Sequence, residues 1–424
     1  MILLKNARIV DGTAPAPSEP VSVLIEGETI REVGRGVTAA GAETLDLGGR
    51  TLMPGLIDAH VHAVACHANL GVNAALPDAL VAHRAARILR GMLLRGFTTV
   101  RDVGGATHAL RMARDEGLFD APRLLLSGKA LSQTGGHTDF RGRFEDRPQP
   151  HGRLGALGRL CDGVDEVRRA TREEIKNGAD FLKIMASGGV ASPTDPIRFL
   201  GFSRAEIRAA VEEAENAATY VAAHLYTDAA IARAVACGVR SLEHCNLIEP
   251  ATARAAAAAG CVAVPTLVTY EALADEGAAM GFPPESVAKI ETVRGAGMES
   301  LATMRAASLP MAFGTDLLGE MHRHQSEEFV IRGRVLPAQE VIASATVVAA
   351  KLLRREGEIG CIAPGACADL VVVDGDPLAD LSLLTRQGRH MPVILLGGRF
   401  VKNTLTGRTG PRWSDGPYAD EQDT

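Results

Sequence analysis

The segment PGLIDAHVH carries two histidines, His60 and His62, one residue apart. On an extended strand, residues i and i+2 project to the same side, so this pattern sends two imidazoles into one space. Neutral imidazoles on adjacent rungs suit a borderline divalent cation such as zinc. Alone the pattern is weak, because core histidines can be spaced in the same way. Four further residues share its chemistry. Lys183 lies inside the apolar run FLKIMASGG, where desolvation disfavours the ammonium and favours a free amine; a lysine snorkelling at a strand end, or paired with a carboxylate, is the plainer reading. His224 in VAAHLYT, His244 in SLEHCN and Asp316 in MAFGTD each end an apolar run. A single histidine there is ordinarily a hydrogen-bonded core residue, and a single Asp caps the next helix. As a set they read as metal ligands, with Asp316 also able to accept a proton from an attacking water.

The elements that would position these residues alternate. Counted from LIDAHVH, short apolar strands (TTVRDVGG, RLLLSG, FLKIMASGG, VAAHLYT, SLEHCN, VAVPTLVTY, MAFGTD) are separated by amphipathic helical stretches. Eight such units predict an α/β fold, a (β/α)8 TIM barrel with the candidate ligands at the C-terminal ends of its strands. An open doubly wound sheet is the competing fold, and no GxGxxG or P-loop pattern supports it. The two ends of the chain differ from the middle. ILLKNARIV, VSVLIEGETIREVG and ETLDLGGRTLMPG at the start, and DLVVVDGD and VILLGGRFVKN near the finish, predict one small discontinuous β-sandwich. Its two parts span 1–53 and 359–405, around a barrel over 54–358, and a polar tail follows over 406–424. The Gly-, Arg- and Pro-rich interval 139–163 breaks the rhythm after the third strand and predicts a lid; its arginines are candidates for holding an anionic substrate.

Composition narrows the partners. The 424 residues carry a net charge of −6 from 45 basic and 51 acidic side chains, which are interspersed, arguing against nucleic acid or an anionic membrane surface as the main partner. No apolar run approaches the roughly 20 residues of a membrane span. The seven cysteines are scattered without a CxxC pair, against a disulfide framework or a Cys-based zinc site and in keeping with a reducing compartment. The opening MILLKNARIVDG has no secretory-leader pattern, so a cytoplasmic location is expected.

The order HxH, Lys, His, His, Asp on successive barrel strands resembles the amidohydrolase superfamily, in its binuclear form with a carboxylated lysine. The likeness covers essentially the whole chain. It implies two divalent ions, with zinc preferred: His60, His62 and Asp316 would hold the buried one, His224 and His244 the outer one, and N6-carboxylated Lys183 would bridge them. GGHTDF with His137, KIMASGGV, HLYT with Tyr226, and LEHCN are similar to the branch of Xaa-Pro dipeptidases (prolidases), related carboxypeptidases and ochratoxinase-like amidases. That likeness implies a small-molecule substrate, an N-acyl amino acid or dipeptide with a free carboxylate, cut at its amide bond. His137 would donate to the substrate carboxylate or carbonyl, Tyr226 would polarise the scissile carbonyl, and the amides of Gly188, Gly189 and Val190 would cradle an anion. The implied mechanism is attack by metal-activated water, with Asp316 carrying its proton to the leaving nitrogen. A cyclic amide hydrolase, of the hydantoinase or imidazolonepropionase kind, is the alternative on the same site. A mononuclear deaminase has no need of the lysine, and a non-catalytic binding scaffold fits poorly with six filled ligand positions. Assembly into a homo-oligomer is left open.

Overall fold

The computed structural model describes residues 1–282 and 284–406; the tail expected over 406–424 lies outside them beyond Thr406. Five strands come first: β1 (Ile2–Ile9), β2 (Val21–Glu26), β3 (Thr29–Gly34), β4 (Glu43–Asp46) and β5 (Thr51–Pro54). The barrel strands follow as β6 (Leu56–Val61), β7 (Phe97–Asp102), β8 (Arg123–Leu126), β9 (Ala130–Ser132), β10 (Gly158–Leu160), β11 (Leu182–Met185), β12 (Val221–Thr227), β13 (Ser241–Leu247) and β14 (Val262–Val264). The chain ends in β15 (Leu370–Val373), β16 (Val393–Leu396) and β17 (Arg399–Asn403).

Strands β6-β7-β8 form one parallel run and β10-β9-β11-β12-β13-β14 another. Backbone hydrogen bonds close both gaps. Asp180 N–H donates to Leu126 O at 2.7 Å, tying β8 to the start of β11. The MAFGTD segment lies between β14 and β6, with Ala312 N–H on Ala263 O at 2.9 Å and Ala59 N–H on Phe313 O at 2.8 Å. The barrel is therefore complete, and its strands are buried on both faces, which is why they read as continuous apolar runs. Outer helices turn an apolar stripe inward: Asp78–Leu94 buries Val81, Ala85, Leu89, Met92 and Leu93, at helical spacing.

The regular count of eight is modified at two places. The third strand is broken into β8 and β9 around Gly128, which has φ +69°, a conformation that favours glycine. The eighth keeps one bridge, Ala263 to Met311. There a Cβ on Gly314 would lie 2.8 Å from that of His60, so a glycine is needed for this close approach.

Strands from both ends of the chain share one sheet, in the order β17-β16-β15-β5-β1-β2-β3, with β4 also on β1. β1 is the pivot: Ile2 to Lys5 pair with β4, Arg8 and Ile9 pair with β5, and a register shift lies between Leu4 and Ala7. Both halves bury side chains in one cluster that includes Leu4, Val23, Ile25, Leu52, Leu370, Val372 and Val393. Arg123 of β8 joins this unit to the barrel through Asp369, at 2.7 and 3.1 Å. No helix among the described residues is long and apolar enough to cross a membrane.

The 139–163 interval is strapped to the barrel. Asn73 donates to Gly155 O at 2.8 Å, the Lys129 ammonium donates to the carbonyls of Arg153 and Ala156 at 3.0 and 2.5 Å, and β10 pairs with β9. Four of its five arginines face local carboxylates: Arg141 on Asp139, Arg147 on Glu145, Arg153 near Asp78 and Arg159 on Glu173. The anion-holding use expected of the interval's arginines is therefore corrected for these four, whose charges are balanced nearby.

Candidate active site

His60 sits on β6 and His62 one residue past its end. Each imidazole gives one nitrogen to the protein. His60 Nδ1 is 2.7 Å from Glu243 Oε2, and His62 Nδ1 is 2.8 Å from Gly104 O. Both partners are acceptors, so both Nδ1 atoms carry hydrogen and, in the neutral rings, both Nε2 atoms keep a lone pair. Those two Nε2 atoms lie 3.3 and 3.2 Å from Asp316 Oδ1, and the three ligand atoms fall within 4.8 Å of one another. Two nitrogen lone pairs facing a carboxylate oxygen form an all-acceptor cluster, which a divalent cation satisfies. The donor set fits a metal.

The groups behind these ligands are buried and charged. Glu243 receives two bonds from Arg101, at 2.8 and 2.9 Å, and one from Ser241 at 2.5 Å; despite burial, Arg101 and His60 hold its carboxyl below the usual range. Asp58 accepts from Thr315 at 2.6 Å, Gln325 at 2.9 Å and the His60 amide at 3.0 Å. Asp102 accepts the amides of Ala63, Gly104 and Ala106, fixing the loop whose carbonyl orients His62. Sequence reading assigned none of these three acids, although an acid inside an apolar strand (LIDAHVH, TTVRDVGG, SLEHCN) marks each.

His224 and His244 project from β12 and β13 into the same space. Their rings are 4.6 Å apart, and His244 lies 4.8 Å from the His60 ring. His244 Nδ1 is 2.8 Å from Thr266 Oγ1. Burial and neighbouring histidines push both well below the ordinary histidine pKa, so each is neutral. The backbone is bent to make this arrangement: His244, Cys245 and Asp316 have φ of +69°, +57° and +54°, and the β12–β13 register shifts between Leu225 and Thr227. Strained conformations of this kind cost about 1–3 kcal/mol each and persist where surroundings enforce them.

Lys183 is 1% exposed on β11. Its register partner Ala222 is two residues before His224 on β12, so the lysine and His224 share a face. Burial lowers its pKa to about 8, against the pull of Glu243 and Asp316. Asp316 itself is held well below the carboxylate range: burial opposes its charge, and His60, His62 and His244 outweigh that.

His137 stacks on His224 at 4.1 Å, and burial lowers its pKa to about 3. The Tyr226 ring is 4.8 Å from that of His224. Tyr270, absent from the sequence reading, donates its hydroxyl to Tyr226 Oη at 3.1 Å, which leaves the Tyr226 O–H free to donate elsewhere. Burial raises the Tyr226 pKa, so it is a donor and not a base. The expected amide cradle is corrected at two of its three positions. Gly188 N–H is taken by Phe199 O at 2.7 Å and Gly189 N–H by Asp195 Oδ2 at 3.1 Å. Gly189 serves packing, because a Cβ there would overlap the His137 ring.

The amidohydrolase family model matches residues 51–401. Ochratoxinase of Aspergillus niger is 32% identical over 381 residues, which cover 85% of this chain and 77% of its own. Among solved structures, a prolidase complexed with N-methylphosphonate-L-proline is 51% identical with a TM-score of 0.93, covering 95% of this chain and 99% of its own. A Xaa-Pro dipeptidase with methionine in its active site is 28% identical with a TM-score of 0.85, covering 95% and 100%.

Proposed function

Because this chain belongs to the amidohydrolase family and is a hydrolase of amide or peptide C–N bonds, we propose that it cleaves N-acyl amino acids or dipeptides bearing a free carboxylate. The observation that carries this reading is the convergence of His60 Nε2, His62 Nε2 and Asp316 Oδ1, beside neutral His224 and His244 and the buried Lys183 amine. His60, His62 and Asp316 would hold one divalent ion and His224 and His244 a second, with zinc the preferred metal on its N and O donors. The Lys183 amine would add to carbon dioxide, forming an N–C bond and losing a proton, and the resulting carbamate would help hold both ions through its oxygens. When bound, such ions act as a Lewis acid and lower the pKa of water toward about 7.

The chain's own residues do the rest. Asp316, held ionised, accepts a proton from the attacking water and delivers it to the leaving nitrogen. Tyr226 donates its free hydroxyl to the scissile carbonyl as negative charge develops there. His137 faces the substrate through Nε2, which accepts a hydrogen bond and does not donate one, because Nδ1 carries the ring hydrogen. Glu243, Arg101 and Gly104 keep the His60 and His62 rings in the tautomer that offers Nε2. The 51% identity to a protein complexed with a phosphonate derivative of proline supports a substrate with an amino-acid leaving group. The seven cysteines, free in the structure, support a reducing compartment such as the cytoplasm.

The test is a hydrolysis screen of N-acyl amino acids, Xaa-Pro and other dipeptides, and cyclic amides, using metal-replete enzyme. Turnover of the acyclic amides is expected. Activity confined to cyclic amides would overturn the substrate reading.

A further inference from the structure

Behind His137 stands a chain of polar groups that the metal centre does not require. His137 Nδ1 is 2.9 Å from Ser192 Oγ, Ser192 Oγ hydrogen-bonds Asp195 Oδ1, and Asp195 Oδ2 accepts the Gly189 amide at 3.1 Å. Lys289, on the helix Pro284–Ala306, donates to the carbonyls of Gly189, Ser192 and Asp195 at 3.0, 2.7 and 3.1 Å. One carboxyl closes the 188–196 loop from inside and one ammonium pins it from outside. Ser192 is fully buried and Asp195 1% exposed, so each must find hydrogen bonds within the protein.

Closing the loop explains Asp195 on Gly189, and Lys289 on the carbonyls. It does not explain a buried hydroxyl aimed at an imidazole. A neutral imidazole has one donor and one acceptor nitrogen, and its ring torsion is broad and roughly two-fold. Left alone, His137 would present either nitrogen, in either tautomer. Its Nε2 has no hydrogen bond among the described residues, while its ring face is against His224. We propose that Ser192 and Asp195 are positioning residues: Ser192 Oγ, which donates to Asp195, accepts the Nδ1–H of His137, so that Nε2 is offered to the substrate as a hydrogen-bond acceptor. This rests on the reading of His137 as a substrate-binding group.

The test combines Ser192→Ala with His137→Ala in a double-mutant cycle on the metal-replete holoenzyme. The substrate is the one turned over fastest in the screen above, and N-methylphosphonate-L-proline is the inhibitor. Ser192→Ala is expected to lower kcat/KM at least about tenfold and to weaken the inhibitor by a similar factor, with metal stoichiometry and Tm unchanged. In the His137→Ala background the same change is expected to have less than about a twofold effect, because the group it acts through is gone. Asp195→Ala follows the same pattern, but it also removes the Gly189 acceptor; Ser192→Ala deletes a single oxygen and decides the matter. Wild-type kinetics in Ser192→Ala, beside a harmful His137→Ala, overturn the positioning proposal and leave the reading of His137 intact. An equal loss from Ser192→Ala in both backgrounds means a structural part and also overturns it. A harmless His137→Ala instead overturns the reading of His137 itself.

Discussion

His60 and His62 face in two directions at once: Nδ1 is tied to Glu243 or Gly104 and Nε2 is turned to Asp316. The orientation of the ligands is therefore set before any ion arrives. Glu243→Gln would remove the charge that Arg101 and His60 share, and metal affinity is expected to fall about 10–100-fold, measured by competition with a chelator of known affinity; unchanged affinity contradicts the arrangement. The proton count makes a second prediction. His62 lies above the ordinary histidine value, since Asp316 outweighs the opposing effect of burial, and Lys183 lies near 8. A proton on either group competes with metal binding or carboxylation, so in the metal-free protein zinc affinity rises with pH while His62 and Lys183 deprotonate. A zinc affinity that does not change with pH would show that neither proton competes. At this scale the sequence was informative where periodicity applies: HxH on a strand must send both rings one way. It was less so for Glu243, Arg101 and Asp58, because an acid or base inside an apolar strand announces burial without naming its partner. Tyr270 meets Tyr226 across 44 positions, and nothing local signals that.

At the scale of elements, strand–helix alternation predicts the barrel because parallel strands buried on both faces leave long apolar runs. Irregularities within single elements were not legible. The break between β8 and β9 depends on Gly128, and the bulge at His244 and Cys245 on backbone dihedrals; a sequence shows neither. The 188–190 turn shows how a local reading goes astray. Its glycines suggested free amides, yet Asp195, six residues on, takes one of them and Phe199 O another. The lack of a Cβ at Gly189 is what matters, as it makes room for the His137 ring. Gly189→Ala is expected to displace that ring and lower kcat/KM about 10–100-fold while metal content stays the same. Undiminished kcat/KM would mean that His137 is remote from the chemistry.

Over the whole molecule, strands from both ends of the chain complete one sheet outside the barrel. Patterning at the two termini could suggest their union, but the register that joins β5 to β15 follows from tertiary packing. The Arg123–Asp369 pair, with Asp369 also accepting Gly397 N–H at 2.7 Å, connects that sheet to β8. Arg123→Ala leaves a nearly buried carboxylate short of a charged partner and is expected to cost about 2 kcal/mol. Thermal unfolding should show a lower Tm with kcat/KM unchanged; lost activity at full stability would place the pair in the catalytic path instead.

The central claim is that six side chains from five barrel strands hold a pair of cations that the reaction needs. Elemental analysis of active wild-type protein and of Lys183→Ala, each assayed for amide hydrolysis in the same preparation, tests it most directly. Two divalent ions per wild-type chain are expected, with metal and activity lost together in Lys183→Ala and partly restored by small carboxylic acids. Fully active protein without bound metal, or Lys183→Ala with wild-type activity, would contradict it.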